Sequence, residues 1–95
     1  MKYTYTLKVE FRGGTYINQV IASNVDLAII AWIEQLKTSR KPIKYLGTKT
    51  LAEISQEAKD YDNTPKALDG VDNVWCTSFC TKVGFFLINI IKTFN

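Results

Sequence analysis

The chain has no histidine and only two cysteines among its 95 residues. Without histidine it lacks the side chain that enzymes use most often as a general acid or base and that proteins use most often to bind a metal. No apolar run approaches the roughly 20 residues of a membrane-spanning helix, and no apolar leader precedes the first predicted strand. We therefore expect a non-enzymatic, cytoplasmic protein without catalytic residues, cofactor, metal site or membrane contact.

The scarce cysteines, Cys76 and Cys80, lie four positions apart in one predicted strand. That offset places both side chains on the same face about 13 Å apart, whereas the Cα atoms of a disulfide must lie within about 7 Å of each other. Two cysteines at this spacing without histidine also make a poor zinc site. We expect buried, reduced cysteines in a reducing compartment. The alternative is a small enzyme with a cysteine nucleophile near Lys82.

Length and composition describe a single domain. A chain of 95 residues that is 46% hydrophobic can build one core, so residues 1–95 are predicted to form one unit. The net charge of +3 is mild, but it is unevenly distributed, with +5 over residues 1–49 and −2 over residues 50–95. This asymmetry is either ordinary surface charge or a means of orienting a partner.

Two hairpins are predicted from the alternation of polar and apolar residues. From residue 2 to residue 11 the alternation is perfect, which is typical of a strand with one buried face and one wet face. A turn at 12–14 leads into a return strand over 15–22. Residues 74–80 and 85–93 are rich in β-branched and aromatic residues and predict a closing hairpin.

The last predicted strand is apolar on both faces, which is usual for a strand that is central or covered on both sides. One face is predicted to carry Phe86, Ile88 and Ile90, and the other Phe85, Leu87 and Ile91.

The first predicted helix follows the opening hairpin. It should begin near Ser23 or Asn24, which are both good N-caps, with Asp26 in its first turn. It should end before Pro42. Eight of the ten residues from 27 to 36 are apolar, so this helix is expected to be buried on more than one side.

A second, weaker helix is predicted over 51–59, after a capping-box pattern at 50–53, and a polar loop over 60–73. The element order is therefore β-β-α-α-β-β. It predicts an α+β fold with a four-stranded antiparallel sheet, built of two hairpins that meet through the first and last strands, with the helices packed on one face. The other face should keep apolar residues of the last strand, together with Tyr16 and Val20, and could dock a second subunit or another protein.

A basic segment provides an alternative function. Residues 37–49 hold five basic residues and no acid, with Tyr45 among them and a short extended piece at 43–46. Basic side chains near an exposed aromatic can bind single-stranded nucleic acid. The charge is modest and no RNA-binding signature is clear, so nucleic-acid binding is the second hypothesis.

Three segments carry a familiar pattern, which reads GGTYINQV at 13–20, NVWC at 73–76 and INIIKT at 88–93, with Ala28 and Trp32 between the first two. Together they resemble a family of small uncharacterised bacterial proteins, and the resemblance spans most of the chain. The family supplies no established activity or catalytic residue to transfer. By analogy with other small cytoplasmic proteins of this kind, it implies an immunity protein that neutralises a bacterial toxin. An acidic or non-nuclease toxin surface suits this mildly basic chain, unless its own acidic loop makes the contact.

The leading hypothesis is therefore a protein-binding module, with an immunity or inhibitor protein as its most specific form. Binding would depend on aromatic anchors surrounded by charge, although either tryptophan can instead belong to the core. The candidate partner-binding residues are Trp32, Tyr45, Tyr61, Trp75, Arg40, Lys41 and Lys44. We also predict a homodimer, because the first helix and last strand offer more apolar surface than one small domain can cover.

Overall fold

The computed structural model describes residues 2–38, 47–59 and 65–93. The elements in these ranges are β1 (Tyr3–Phe11), β2 (Gly14–Ala22), α1 (Val25–Thr38), α2 (Thr48–Ala58), β3 (Lys66–Ala67), β4 (Val74–Thr81) and β5 (Gly84–Thr93). The strands form one antiparallel sheet in the order β2-β1-β5-β4-β3. The predicted α+β class and antiparallel sheet are confirmed, but the predicted count of four strands is wrong, because β3 adds a fifth. Within the described residues, no helix is long and apolar enough to cross a membrane.

The first hairpin closes through a two-residue turn. Its register runs without interruption from Tyr3 opposite Ala22 to Phe11 opposite Gly14. The φ angles of the two turn residues are both positive, 48° at Arg12 and 82° at Gly13. This is the type I′ geometry, whose twist matches that of the flanking strands.

The two hairpins meet through β1 and β5 at the centre of the sheet, as predicted. The register of this pair runs from Thr4 opposite Thr93 to Phe11 opposite Phe86. The rings of Phe11 and Phe86 stack at the end of the pair, with centroids 3.8 Å apart and planes 9° apart. The guanidinium of Arg12 donates a hydrogen bond to the carbonyl oxygen of Val83, so the turns of the two hairpins are also joined.

The core lies between one face of the sheet and the two helices, with α1 over β2 and α2 over β4. Its members are Tyr5, Leu7, Val9, Phe11, Val20, Ala22, Ala28, Ile29, Trp32, Ile33, Ile54, Phe79, Phe86, Ile88 and Ile90. The start of α1 agrees with the prediction, since the Asn24 side chain accepts a hydrogen bond from the Leu27 N–H at 2.9 Å. That bond satisfies one of the unpaired amides of the first turn.

The second helix begins earlier than predicted. It starts at Thr48 after Gly47, and its first turn has no side-chain cap, so the predicted capping box at 50–53 is wrong. Thr50 lies inside the helix and is 4% exposed. Glu53 does not reach back to its own helix terminus but accepts a hydrogen bond from the Lys82 N–H at 3.1 Å. The carboxylate therefore joins α2 to the turn between β4 and β5.

The described part of the predicted loop at 60–73 contains β3. Lys66 lies opposite Cys76, and beyond the strand the Leu68 N–H donates to the Val74 carbonyl oxygen at 3.0 Å. The chain then turns through Gly70, whose φ is +83°. Two residues are too few to show an alternating pattern, which is why the sequence did not predict this strand.

Candidate functional site

One face of the sheet carries the helices, and we call the other the open face. Residues directly opposite each other in neighbouring strands share a face. Glu10 of β1 lies opposite Thr15, and it also lies opposite Leu87, which in turn faces Ser78. These four residues form one row across the open face. Because side chains alternate between the two faces along a strand, every second residue from each of them also lies on the open face.

A stripe of large apolar side chains runs along β5 on the open face. Phe85 is 53% exposed, Leu87 is 37% exposed and Ile91 is 39% exposed. We call these three residues the β5 stripe. Their neighbours on the core face of the strand, Phe86 and Ile90, are fully buried. The predicted division of the last strand into two apolar faces is therefore confirmed.

The edge strand β2 contributes a second group of exposed apolar side chains, a pair of isoleucines. Ile17 is 68% exposed and Ile21 is 64% exposed, and we call them the β2 pair. The prediction that Tyr16 and Val20 lie on this face is wrong. Val20 lies opposite the core residue Tyr5 and is 7% exposed, and Tyr16 has the same parity. The prediction failed because both the odd-numbered and the even-numbered residues of β2 include apolar side chains, and a shift of one residue moves every side chain to the opposite face of the sheet.

Polar side chains of β1 separate the β5 stripe from the β2 pair. Lys8 and Glu10 form an ion pair at 3.8 Å, with each side chain about half exposed. Thr6 accepts a hydrogen bond from the Gln19 amide at 3.0 Å. Exposed pairs of this kind contribute little stability. Their consequence is geometric, because the apolar surface of the open face is divided into two patches.

A shallow depression of about 410 Å³ adjoins one end of the β5 stripe. Phe85 and Leu87 line it with Glu10, Arg12 and Thr15 around them. The hydrogen bond from Arg12 to the Val83 carbonyl positions one of the charged groups. The depression thus combines apolar side chains with one charge of each sign.

The two cysteines also lie on the open face. Cys76 lies opposite Asn89 and Cys80 lies opposite Phe85, which confirms that they share a face. Both are free, but Cys76 is half-buried and Cys80 is exposed, so the prediction that both are buried is wrong. The core side of β4 is occupied instead by residues of the other parity, such as Phe79.

Of the seven predicted partner-binding residues, the structure describes two, Trp32 and Trp75. Trp32 is 0% exposed, so its side chain has no surface to offer. Trp75 is half-buried on the core side of β4, with its ring 6.1 Å from that of Tyr5. Burial of Tyr5, and to a smaller extent its neighbour Tyr3, raises the pKa of the Tyr5 hydroxyl. Five candidates lie outside the described residues, namely Arg40, Lys41, Lys44, Tyr45 and Tyr61.

Most of the basic segment 37–49 also lies outside the described residues, as does the extended piece predicted at 43–46. Of its basic side chains the structure places Lys37, whose ammonium lies 3.2 Å from the Glu34 carboxylate, and the exposed Lys49. Nucleic-acid binding by this segment therefore stays a prediction.

The sequence predicted the apolar residues of the last strand on the open face as a docking surface, but it did not single out Ile17 and Ile21 of β2, which are the most exposed large apolar side chains there. The last strand did indicate an apolar open face, because its odd-numbered and even-numbered residues are both apolar although the described helices cover one face of the sheet.

Within residues 2–38, 47–59 and 65–93, no three acidic or cysteine side chains cluster as a metal site would require. No protein-family model, curated protein or solved structure matches this chain. The resemblance to small bacterial proteins stays a prediction.

Proposed function

We propose that the protein is a non-enzymatic binding module that docks another protein on the β5 stripe, and that it acts as a bacterial immunity or inhibitor protein. The observation that supports this proposal is the group of three large apolar side chains exposed along one strand, Phe85, Leu87 and Ile91. Extended apolar patches bordered by polar residues are characteristic of protein-binding surfaces. Aromatic residues such as Phe85 are enriched at the centres of such surfaces.

The apolar contact contributes a limited part of the binding free energy. Covering the exposed fractions of the three side chains removes on the order of 250 Å² from water, which corresponds to about 6 kcal/mol. Association itself costs about 4–15 kcal/mol. Polar and charged groups around the stripe must therefore contribute to the affinity as well.

The charges beside the stripe favour an acidic partner. Three basic residues lie around the open face, namely Lys8, Arg12 and Lys66. One of them, Lys8, is paired with Glu10, so the four formal charges sum to +2. The whole chain carries a net charge of +3. A partner with an apolar projection for the depression and carboxylates around it would complement this surface and would also be attracted to it at a distance.

The proposal is tested with two variants that differ only in the face they alter. Leu87→Asp places a charge in the β5 stripe, and Leu27→Asp places the same charge on α1, where Leu27 is 45% exposed. Wild-type protein and both variants are used as bait in extracts of the native host. A protein that is retained by wild type and by Leu27→Asp is then purified, and its affinity for all three chains is measured by calorimetry.

We expect Leu87→Asp to weaken binding at least about tenfold, since it buries an unpaired charge at the interface, and Leu27→Asp to change it by less than about twofold. Equal binding of all three chains would refute docking on the β5 stripe. The immunity role has its own test. The partner expressed alone should arrest growth, and wild-type protein but not Leu87→Asp should restore it. A partner that is harmless to the cell would refute the immunity role and leave the binding site intact.

A further inference from the structure

The outer edge of β2 presents a regular row of backbone groups. Because Phe11 and Gly14 flank a two-residue hairpin turn, they exchange both hydrogen bonds, and every second residue along β2 then bonds to β1. The residues between them direct their N–H and C=O groups away from the sheet, and these are Thr15, Ile17, Gln19 and Ile21. A contact from α1 agrees with this assignment, since the Gln35 amide donates to the Gln19 carbonyl oxygen at 3.3 Å.

Within its own residues, β2 lacks several features that prevent strand pairing in natural proteins. Natural edge strands are protected by lysine, proline, a bulge or extreme shortness. The nine residues of β2 contain no charge and no proline, and their one-to-one register with β1 contains no bulge. Of the outward groups, the Gln19 carbonyl oxygen accepts the hydrogen bond from the Gln35 amide.

The side chains of β2 are complementary to a second copy of the same strand. Ile17 and Ile21 are the two most exposed large apolar side chains in the described residues, and they lie symmetrically about Gln19. If two β2 strands pair antiparallel with Gln19 opposite Gln19, Ile17 of each copy lies opposite Ile21 of the other. Opposite Cβ atoms in such a pair lie about 4.5–5.5 Å apart, so all four side chains lose exposed surface.

From the outward backbone groups and this symmetry we infer that two copies of the chain dimerise by antiparallel pairing of their β2 strands about a two-fold axis at Gln19. The sheets of both copies become one continuous sheet. Ile17, Gln19 and Ile21 supply about six hydrogen bonds between the chains. A carbonyl oxygen accepts two hydrogen bonds, so the bond from Gln35 can persist. The β5 stripe stays uncovered beyond the polar side chains of β1, and the inference does not depend on the proposed function.

A single backbone substitution tests the pairing. Gln19→Pro removes an N–H that points outward, and proline is tolerated in edge strands at such positions. Gln19→Ala is the matched control, because it changes the side chain and keeps the N–H. By light scattering at about 5–200 µM, we expect wild type and Gln19→Ala to approach twice the 10.8 kDa of one chain. Gln19→Pro should raise the dissociation constant at least about tenfold.

A second pair of variants distinguishes edge pairing from stacking of the open faces. Ile17→Lys puts a charge beside the two-fold axis of the proposed dimer, and Ile91→Lys puts it in the β5 stripe. Edge pairing predicts that Ile17→Lys dissociates the dimer and Ile91→Lys does not. Dissociation by Ile91→Lys alone would overturn the inference in favour of face-to-face stacking.

Hydrogen exchange of the wild-type protein supplies a test without any substitution. The outward amides of Ile17, Gln19 and Ile21 should exchange slowly at high protein concentration and rapidly at low concentration. The amides of Asn18 and Val20, which bond to β1, should be protected at both. A mass of one chain at every concentration would overturn the inference, as would outward amides that are protected equally at all concentrations, since they would then be covered within one chain.

Discussion

Replacing Phe86 by alanine should remove a large part of the stability of the fold, whereas the same replacement at the adjacent Phe85 should remove little. The two phenylalanines lie on opposite faces of β5. Phe86 is 0% exposed and Phe85 is 53% exposed. The pair therefore tests the assignment of the core face and the open face with one type of side chain and one type of substitution.

The magnitude follows from burial and from the ring contact with Phe11. Truncating a buried phenylalanine costs about 3–5 kcal/mol, and a stacked aromatic pair such as Phe11 and Phe86 accounts for about 0.5–1.5 kcal/mol of such a loss. We expect the free energy of unfolding to fall by about 4 kcal/mol for Phe86→Ala, against a total of about 5–15 kcal/mol for a native domain. Phe85→Ala should cost less than about 1 kcal/mol, as is usual for a partly exposed side chain.

Urea denaturation followed by circular dichroism measures both changes. With a slope of about 2 kcal/mol per molar urea, Phe86→Ala should lower the midpoint by about 2 M. Phe86→Leu keeps more of the buried volume and should lower the urea midpoint by less than Phe86→Ala does. It therefore still gives a measurable midpoint if the alanine variant is completely unfolded. If Phe85→Ala were as damaging as Phe86→Ala, or more so, β5 would be shifted by one residue relative to β1, and the open face described above would be wrong.

Three further predictions concern a helix cap, a thiol and a hydroxyl. Asn24→Ala should cost about 1 kcal/mol, or about 5 °C in thermal denaturation, and Asn24→Asp should retain most of it; an unchanged melting temperature for Asn24→Ala would contradict the observed cap. Cys80 should react with a thiol reagent in the native protein faster than Cys76, as mass spectrometry of single-cysteine variants would show, and equal rates would contradict their different exposure. Because the pKa of Tyr5 is raised in the folded state, ionisation of Tyr5 should leave the free energy of unfolding unchanged below about pH 10 and lower it as the pH rises through the folded pKa. Between pH 9 and pH 11 the urea midpoint of Tyr5→Phe should therefore fall less than that of the wild type. An equal fall in both proteins would contradict the raised pKa.

Periodicity within one strand predicted more of this fold than any other signal. In β1 the apolar residues share one parity, so burial of Leu7 and Val9 followed directly. In β4 the spacing of Cys76 and Cys80 correctly placed both on one face, but spacing does not say which face the helices cover. Larger residues of the opposite parity, such as Phe79, compete for the core and displace the cysteines to the open side.

Signals that involve only a few residues were less reliable, because tertiary contacts override them. The pattern at 50–53 is compatible with a capping box, yet Glu53 bonds to the Lys82 amide, a group 29 positions away. The open face was foreseeable only in part. The apolar residues on both faces of β5 predicted the β5 stripe. The exposure of Ile17 and Ile21, in contrast, depends on which residues of β2 turn towards the helices, and that is determined by the register of β2 with β1.

The pairing of the first strand with the last has a consequence for synthesis on the ribosome. β2 ends at Ala22 and β5 begins at Gly84, so roughly 60 residues, or about 3–12 s of translation, separate the opening hairpin from its central partner. An isolated two-stranded hairpin is marginally stable in water. For those seconds the edge of β1 that later pairs with β5 stays unpaired, so the nascent chain exposes a row of backbone groups that could pair with another strand.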